Sequence, residues 1–326
     1  MRIVAALGGN ALLRRGERPD AAVQLRHVQA AAEALAPLAR DHELIVCHGN
    51  GPQVGLLALE TETDAALSAP YPLDVLGAQT QGMIGYWLTQ ALRNAGVRAP
   101  VAVVTQTLVS GYDPSFAAPT KFIGPVYDES TGRALADRHG WPVARDGAHW
   151  RRVVASPEPV EILELEAVMA LVRAGVTVVC AGGGGSPVVR DAAGALSGRS
   201  AVVDKDLTAA LLALATEADH LLLLTDVPAV LQDFGTDHAI ALSRLSLQEL
   251  AGMSLPAGSM GPKAEACRRF VSATGRPATI GAASDAVAVL AGTAGTRVTP
   301  DGVTGQVLTA VDGRAPAPSP TGRPRS

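Results

Sequence analysis

Lysine is nearly missing from this chain. Of 27 Lys and Arg residues among 326, only Lys121, Lys205 and Lys263 are lysines, and the other 24 are arginines. An ammonium is a compact point charge with rotatable donors, whereas a guanidinium is a broad planar fork. Three lysines kept in an arginine-rich chain mark places where one small charge must reach a moving oxygen. Aromatic residues are also scarce, at 3%, so the 48% hydrophobic content describes a core packed from Ala, Val and Leu. The three cysteines, Cys47, Cys180 and Cys267, lie far apart, which leaves no disulfide framework or zinc spacing. A net charge of −4 offers no surface for nucleic acid or anionic membranes. No apolar run approaches membrane-spanning length, and no signal-peptide pattern precedes the strand-like Ile3–Leu7. The expectation is a soluble cytoplasmic protein.

What the chain does contain is alternation. Short apolar runs at Ile3–Leu7, Leu44–Cys47, Val101–Val104, Val176–Cys180, His220–Leu224 and Ala278–Ile280 read as strands. Helical patterns lie between them at Ala21–Arg40, Leu73–Ala95, Val160–Ala174, Asp206–Glu217, Pro262–Thr274 and Ser284–Ala291. Continuous apolar strands separated by helices predict a mostly parallel sheet covered on both faces. Right-handed crossovers then bring the C-terminal ends of the strands to one edge. One stretch, about 113–157, breaks the rhythm with Pro, charged residues and the aromatics Phe116, Tyr127, Trp141 and Trp150. It lacks a long helical pattern and is expected to form a small β-rich inserted subdomain of a single domain spanning 1–314. The tail 315–326, with four prolines and two arginines, reads as disordered.

The glycines fall after the strands. Gly8-Gly9-Asn10 follows the first, and paired glycines let amides approach an anion. After the second strand, His48-Gly49-Asn50-Gly51-Pro52 offers more exposed amides, with Pro52 suited to a first helical turn. His48 is a possible base, or a satisfied structural histidine. Gly182-Gly183-Gly184-Gly185 costs much entropy to order unless something comes very close to its backbone, a hinge being the alternative. None of these matches the dinucleotide fingerprint, and Gly258-Ser259-Met260-Gly261-Pro262-Lys263 lacks the P-loop spacing. A phosphate site assembled from several loops follows.

Lys205 stands between Asp204 and Asp206 just before a helical pattern, where Asp206 could serve as the N-cap and the two carboxylates would keep the ammonium charged. Lys263 sits at a helix start, where a cation is disfavoured unless an anion shares the site. Lys121 is flanked by prolines inside the insert. Thr225-Asp226 ends a strand at the edge that suits nucleotide contacts. Such parts serve phosphoryl transfer, which needs alignment and charge stabilisation.

The chain resembles the carbamate kinases of the amino acid kinase superfamily from Met1 to roughly Val303. The likeness rests on Ala6-Leu7-Gly8-Gly9-Asn10-Ala11-Leu12, His48-Gly49-Asn50-Gly51-Pro52-Gln53-Val54-Gly55, Gln81-Gly82-Met83-Ile84-Gly85-Tyr86, Pro119-Thr120-Lys121, Asp204-Lys205-Asp206 and the segment Gly258–Lys263. Phe122 stands where the family often has Pro, and Gln79-Thr80 where it has a Met-Ser-like pair. The resemblance implies a three-layer αβα sandwich with a protruding lid, a homodimer, and ATP + carbamate ⇌ ADP + carbamoyl phosphate with Mg²⁺. By the same resemblance, Lys205 and Lys263 hold phosphates on the nucleotide side. Lys121 reaches the carbamate-side phosphoryl oxygens, and Asp206 orients the lysines. The amides of Gly8, Gly9 and Asn10 receive the transferring group, with Gly182 and Gly183 on the phosphate side. Gly49, Asn50 and Gly51 line the carbamate pocket, while Thr225, Asp226 and Met260 approach the nucleotide. Related superfamily kinases commonly carry a lysine before the first glycine pair. Here Ala5-Ala6-Leu7 occupies that place, leaving Lys121 to supply the charge. Two alternatives stand beside this: a related kinase of another small acid, such as an N-acetylated amino acid, and a non-catalytic nucleotide-binding regulator.

Overall fold

The strand Arg2–Leu7 is central because every one of its last five residues is apolar and buried. A computed structural model describes residues 1–302 apart from Arg15, Asp237 and Ala257. In it this strand pairs in parallel with Glu43–His48 on one side and His220–Thr225 on the other. Eight strands form the main sheet, in the order 244–246, 296–299, 278–282, 220–225, 2–7, 43–48, 178–179 and 101–102. Pairing is parallel throughout except where Ala278–Ala282 meets Thr296–Thr299.

Alternation along the strands divides the core in two, since successive side chains leave opposite faces of a sheet. Ile3, Ala5 and Leu7 pack with Leu35, Leu88 and Val289 from the helices Ala21–Asp41, Leu73–Asn94 and Ala286–Ala291. Val4 and Ala6 pack with Val168, Leu212 and Phe270 from Leu165–Arg173, Lys205–Ala215 and Met260–Thr274. This is the expected sandwich of helices on both faces of a mostly parallel sheet.

Two expectations need correction. The helical pattern Val160–Ala174 is split: Pro159–Ile162 is a strand and the helix starts at Leu165. Proline and β-branched residues favour extended backbone, and this strand pairs with Gln106–Val109 in a four-stranded side sheet. The helix expected after Pro52 is present as Gly51–Thr63. The insert contains an eleven-residue helix, Glu129–His139, beside its three-stranded sheet of Lys121–Tyr127, His149–Val154 and Val143–Asp146. That helix buries only Gly132, so it has no apolar stripe to read. Its signals are the caps, Asp128 accepting from the Thr131 amide and Gly140 at φ 68°. The tail at 315–326 lies outside the described residues.

The insert is seated on the helix Gly51–Thr63. A Cβ on Gly55 would lie 2.0 Å from the Gly124 Cα, so two backbones cross there with no room for a side chain. At the far end Arg152 donates to Glu62 at 2.8 Å and lies 4.4 Å over the Trp141 ring. The strand carrying Lys121 is thus fixed relative to the loop after the second central strand.

Candidate active site

A cleft of about 270 Å³ opens at the C-terminal edge of the sheet. It is lined by Gly8, Gly9 and Asn10 after the first strand, Gly49, Asn50 and Gly51 after the second, and Thr225 and Asp226 at the end of His220–Thr225. Two helices start at its wall, Lys205–Ala215 and Met260–Thr274, and bring Lys205, Asp206, Met260 and Lys263. The insert adds Lys121 and Phe122. All three lysines therefore meet in one cleft, although they are separated in sequence by 84 and 58 positions.

They are held by two carboxylates. Lys205 donates to Asp206 Oδ1, and Lys263 Nζ reaches Asp206 Oδ2 at 3.3 Å while also donating to the Ser259 carbonyl at 3.3 Å. Lys121 pairs with Asp204 instead. Lys205 is thus not shared between its two neighbours, as its sequence position had implied. The N-cap of its helix is Asp204, which accepts from the Asp206 amide at 2.9 Å, so Asp206 is free of the cap and points its carboxylate at lysines. Burial opposes the ionisation of Asp206, but the charges of Lys205 and Lys263 outweigh it and hold the carboxyl well below the usual range. Burial likewise works against Asp204, and Lys121 chiefly brings it down. Lys205 is lowered by its own burial, whereas Asp206 and Asp204 overcome burial to raise Lys263. Three ammonium groups against two carboxylates leave the cluster one positive charge in excess.

The glycine loops divide into two kinds. In the first, the short turn Gly9–Ala11 begins its internal bonding at Ala11, which leaves the Gly9 and Asn10 amides for the cleft. Gly51 similarly precedes the first internal bond of its helix, from Val54 to the Asn50 carbonyl. The amides of Gly8 and Gly49 are already spent, on Leu224 O at 2.7 Å and Leu7 O at 2.9 Å. Gly49 serves by closeness: a Cβ there would sit 2.7 Å from the Gly9 nitrogen. In the second kind, the run Gly182–Gly185 is approached by the protein itself. Cβ atoms at Gly182 and Gly183 would fall 2.3 Å from His48 Nε2 and 2.1 Å from Asn50 Nδ2. Gly183 lines the cleft and Gly182 does not. Gly182 and Gly183 admit His48 and Asn50, while Gly184 and Gly185 are approached by Val203 and Thr107; Asn50 is oriented by a 2.9 Å bond to Thr80 Oγ1.

His48 takes the structural role. It is buried, its Nδ1 lies 3.0 Å from the Gly49 carbonyl, and burial pushes its pKa down to about 4. Asp226 accepts from the Asn10 side-chain amide at 3.1 Å and from the Thr225 hydroxyl at 3.0 Å, so this acid is held without a lysine. Val227, Ala229, Leu231, Phe234, Leu255 and Pro256 complete an apolar flank that sequence reasoning missed. The apolar run directly after Thr225-Asp226 was the available signal, together with Phe234, one of four phenylalanines, in a polar loop.

A profile of the amino acid kinase family matches residues 1–282. Carbamate kinase of Rhizobium meliloti (strain 1021) is 48% identical over 330 residues, covering 99% of this chain and 100% of the relative. Carbamate kinase of Escherichia coli (strain K12) is 50% identical over 295 residues, covering 90% and 98%. Among solved structures, carbamate kinase from Giardia lamblia bound to citric acid superposes with a TM-score of 0.87 at 37% identity, covering 92% of this chain and 98% of that one. The same enzyme bound to AMP-PNP gives 0.82, again at 37% identity with 92% and 98% coverage. With the family profile matching residues 1–282 and carbamate kinases 48–50% identical over 90–99% of its length, the chain belongs to the amino acid kinase family, in its carbamate kinase branch.

Proposed function

We propose that this protein catalyses ATP + carbamate ⇌ ADP + carbamoyl phosphate, as a cytoplasmic homodimer using a magnesium-bound nucleotide. The observation that carries the reading is the meeting of Lys121, Lys205 and Lys263 around Asp204 and Asp206 in one cleft. Toward ATP, a terminal oxygen of ADP attacks phosphorus and the bond from phosphorus to the carbamate oxygen breaks. The attacking oxygen is already anionic in either direction. No base is therefore required, which fits a neutral, buried His48.

What the protein must supply is charge and alignment. Lys205 and Lys263, fixed on Asp206, hold the phosphates on the nucleotide side. Lys121 approaches from the insert, acting as a lid, and takes the carbamate-side oxygens of the phosphoryl group. The Gly9 and Asn10 amides lie beneath that group, with Gly51 and Asn50 around the carbamate. Gly8 lines the cleft with its amide already bonded to Leu224, and Gly182 supports the loop from behind. The apolar flank from Val227 to Met260 suits a purine, and Thr225 and Asp226 lie beside it. Among the described residues no three acidic, His or Cys side chains form a metal cage. Asp204 and Asp206 are committed to lysines, which leaves Asp226. A single carboxylate fits a magnesium ion brought by the nucleotide, which Asp226 would hold. When bound, the ion supplies further neutralisation of phosphate charge. The three free, buried cysteines suit a reducing compartment.

The test is ATP formation from ADP and carbamoyl phosphate, read through a coupled assay. ATP accumulating well above spontaneous decay is expected, and none above that background overturns the reading. Sedimentation at micromolar protein checks the homodimer, a monomer being the contrary result.

A further inference from the structure

We propose that Asp204 is the positioning residue that seats Lys121 over the reacting phosphoryl group, by dividing one carboxylate between the scaffold and the insert. This rests on the carbamate kinase reading and deepens it. One oxygen, Oδ1, caps the helix Lys205–Ala215, accepting from the amides of Asp206 at 2.9 Å and Leu207 at 3.4 Å. The other, Oδ2, accepts from Lys121 Nζ. Capping removes the freedom of the carboxylate, because its plane is set by the helix end. The Asp204 side chain is 10% exposed and that of Lys121 is 29% exposed, so the acid is the fixed member of the pair and the lysine the guided one.

Lys121 needs such a guide. It is the first residue of the strand Lys121–Tyr127, at the mouth of the insert, and a four-carbon stem from a strand end sweeps a wide volume. Lys205 and Lys263 share Asp206 and start from helices packed in the core. Lys121 has a carboxylate of its own. An ammonium has three donors. With one given to Asp204, two remain for phosphoryl oxygens, and their direction is fixed by the first. The acid therefore also joins the lid to the helix that carries Lys205 and Asp206, so the two sides of the phosphoryl site are set by one side chain.

The chemistry of an amide separates the two jobs. In Asp204→Asn the carbonyl oxygen can still cap the helix, since Asn is as good an N-cap as Asp. The amide nitrogen then faces Lys121, placing a donor against a donor. The variant should keep its fold and its ADP affinity, while kcat/KM for carbamoyl phosphate falls by about 10²-fold. In a Lys121→Ala background the same change should cost less than about twofold, because the lysine it guides is gone. Amide hydrogen exchange along Lys121–Tyr127 should speed up, with no change in Arg2–Leu7. If the two substitutions instead multiply, if ADP binding measured by calorimetry weakens in parallel, or if Asp204→Asn stays within about threefold of wild type, the proposal is overturned. Should Asp204→Asn not fold, Asp204→Ser keeps a capping oxygen and removes the carboxylate, and the same outcomes apply. A wild-type protein without turnover sinks the enzyme reading alone. The exchange comparison still judges the tether, and unchanged protection of the insert strand refutes it.

Discussion

The site has a core half and an insert half, and they are built on opposite plans. In the core half, two lysines converge on one fully buried carboxylate, each launched from the start of a packed helix. In the insert half, one partly exposed lysine leaves a strand end and meets one carboxylate. The first plan fixes charge by burial, at the cost of desolvating three ionised groups that compensate chiefly one another. The second keeps a charge mobile and locates it by a single contact. The difference matches the division of labour in phosphoryl transfer, in which one end of the reaction is gripped and the other must admit and release a small substrate.

The comparison breaks most sharply at Asp206. Asp206→Asn leaves two buried ammonium groups facing an amide. It should lower turnover by about 10³-fold or more and cost about 3–5 kcal/mol of stability, read as activity and denaturant midpoint together. Full stability with low activity would show that the core half is not held by this acid. Next come the lysines. Lys263→Ala and Lys121→Ala should each lose about 10²–10³ in rate, and a loss below about tenfold removes the charge-donor role. Lys263→Ala should lower the unfolding midpoint more than Lys121→Ala, because Lys263 is buried whereas the Lys121 side chain is partly exposed and Asp204 keeps its helix-capping bonds. Equal destabilisation by the two would erase the contrast between the halves.

Acid separates the halves by stability. His48 lies against Gly182 in the core half, and its folded pKa of about 4 is below the ordinary value of 6.5. As pH falls through 6.5 the unfolded chain takes up this proton first, so stability declines from there and levels off below about 4. The full loss is about 3 kcal/mol. His220, lowered to about 4 chiefly by burial, acts in the same direction. Thermal unfolding at pH 7, 5.5 and 4.5 measures this, and His48→Gln should flatten the curve without shifting the neutral pH–rate profile. A profile that loses a limb in this variant would restore His48 as a base.

How much of this could be read from residues alone depends on where the information sits. Five of the six apolar runs became buried strands of the central sheet, because burial on both faces leaves a continuous signal, and the sixth became the exposed edge strand Val101–Ala102. The lysines and Asp206 stood out by rarity and by adjacency to helix starts. The division between Asp204 and Asp206 did not, because which of the two caps the helix depends on φ and ψ at residue 204, where the backbone is still extended. Nor could sequence say what approaches Gly182 and Gly183, since His48 and Asn50 arrive from a loop more than 130 positions away. The helix Glu129–His139 escaped because a surface helix with caps and no stripe leaves no periodic trace.

The smallest expected effect lies where the halves touch. The Phe122 ring faces Gly258, where a Cβ would come 3.4 Å from the ring, and Arg151 lies 5.7 Å from its centroid. Gly258 immediately precedes Ser259 and Met260, the N-terminal end of the helix that carries Lys263. Phe122 thus lays the insert against the nucleotide-side loop by an apolar contact, one residue from the lysine that Asp204 holds. Phe122→Ala removes the contact and leaves every charge in place. The apparent KM for ADP should rise about three- to tenfold, corresponding to the loss of roughly 1 kcal/mol of packing, with kcat within about twofold of wild type. If kcat falls instead and KM stays put, the ring is helping to aim Lys121, and the insert half has two guides where the carboxylate alone was expected to serve.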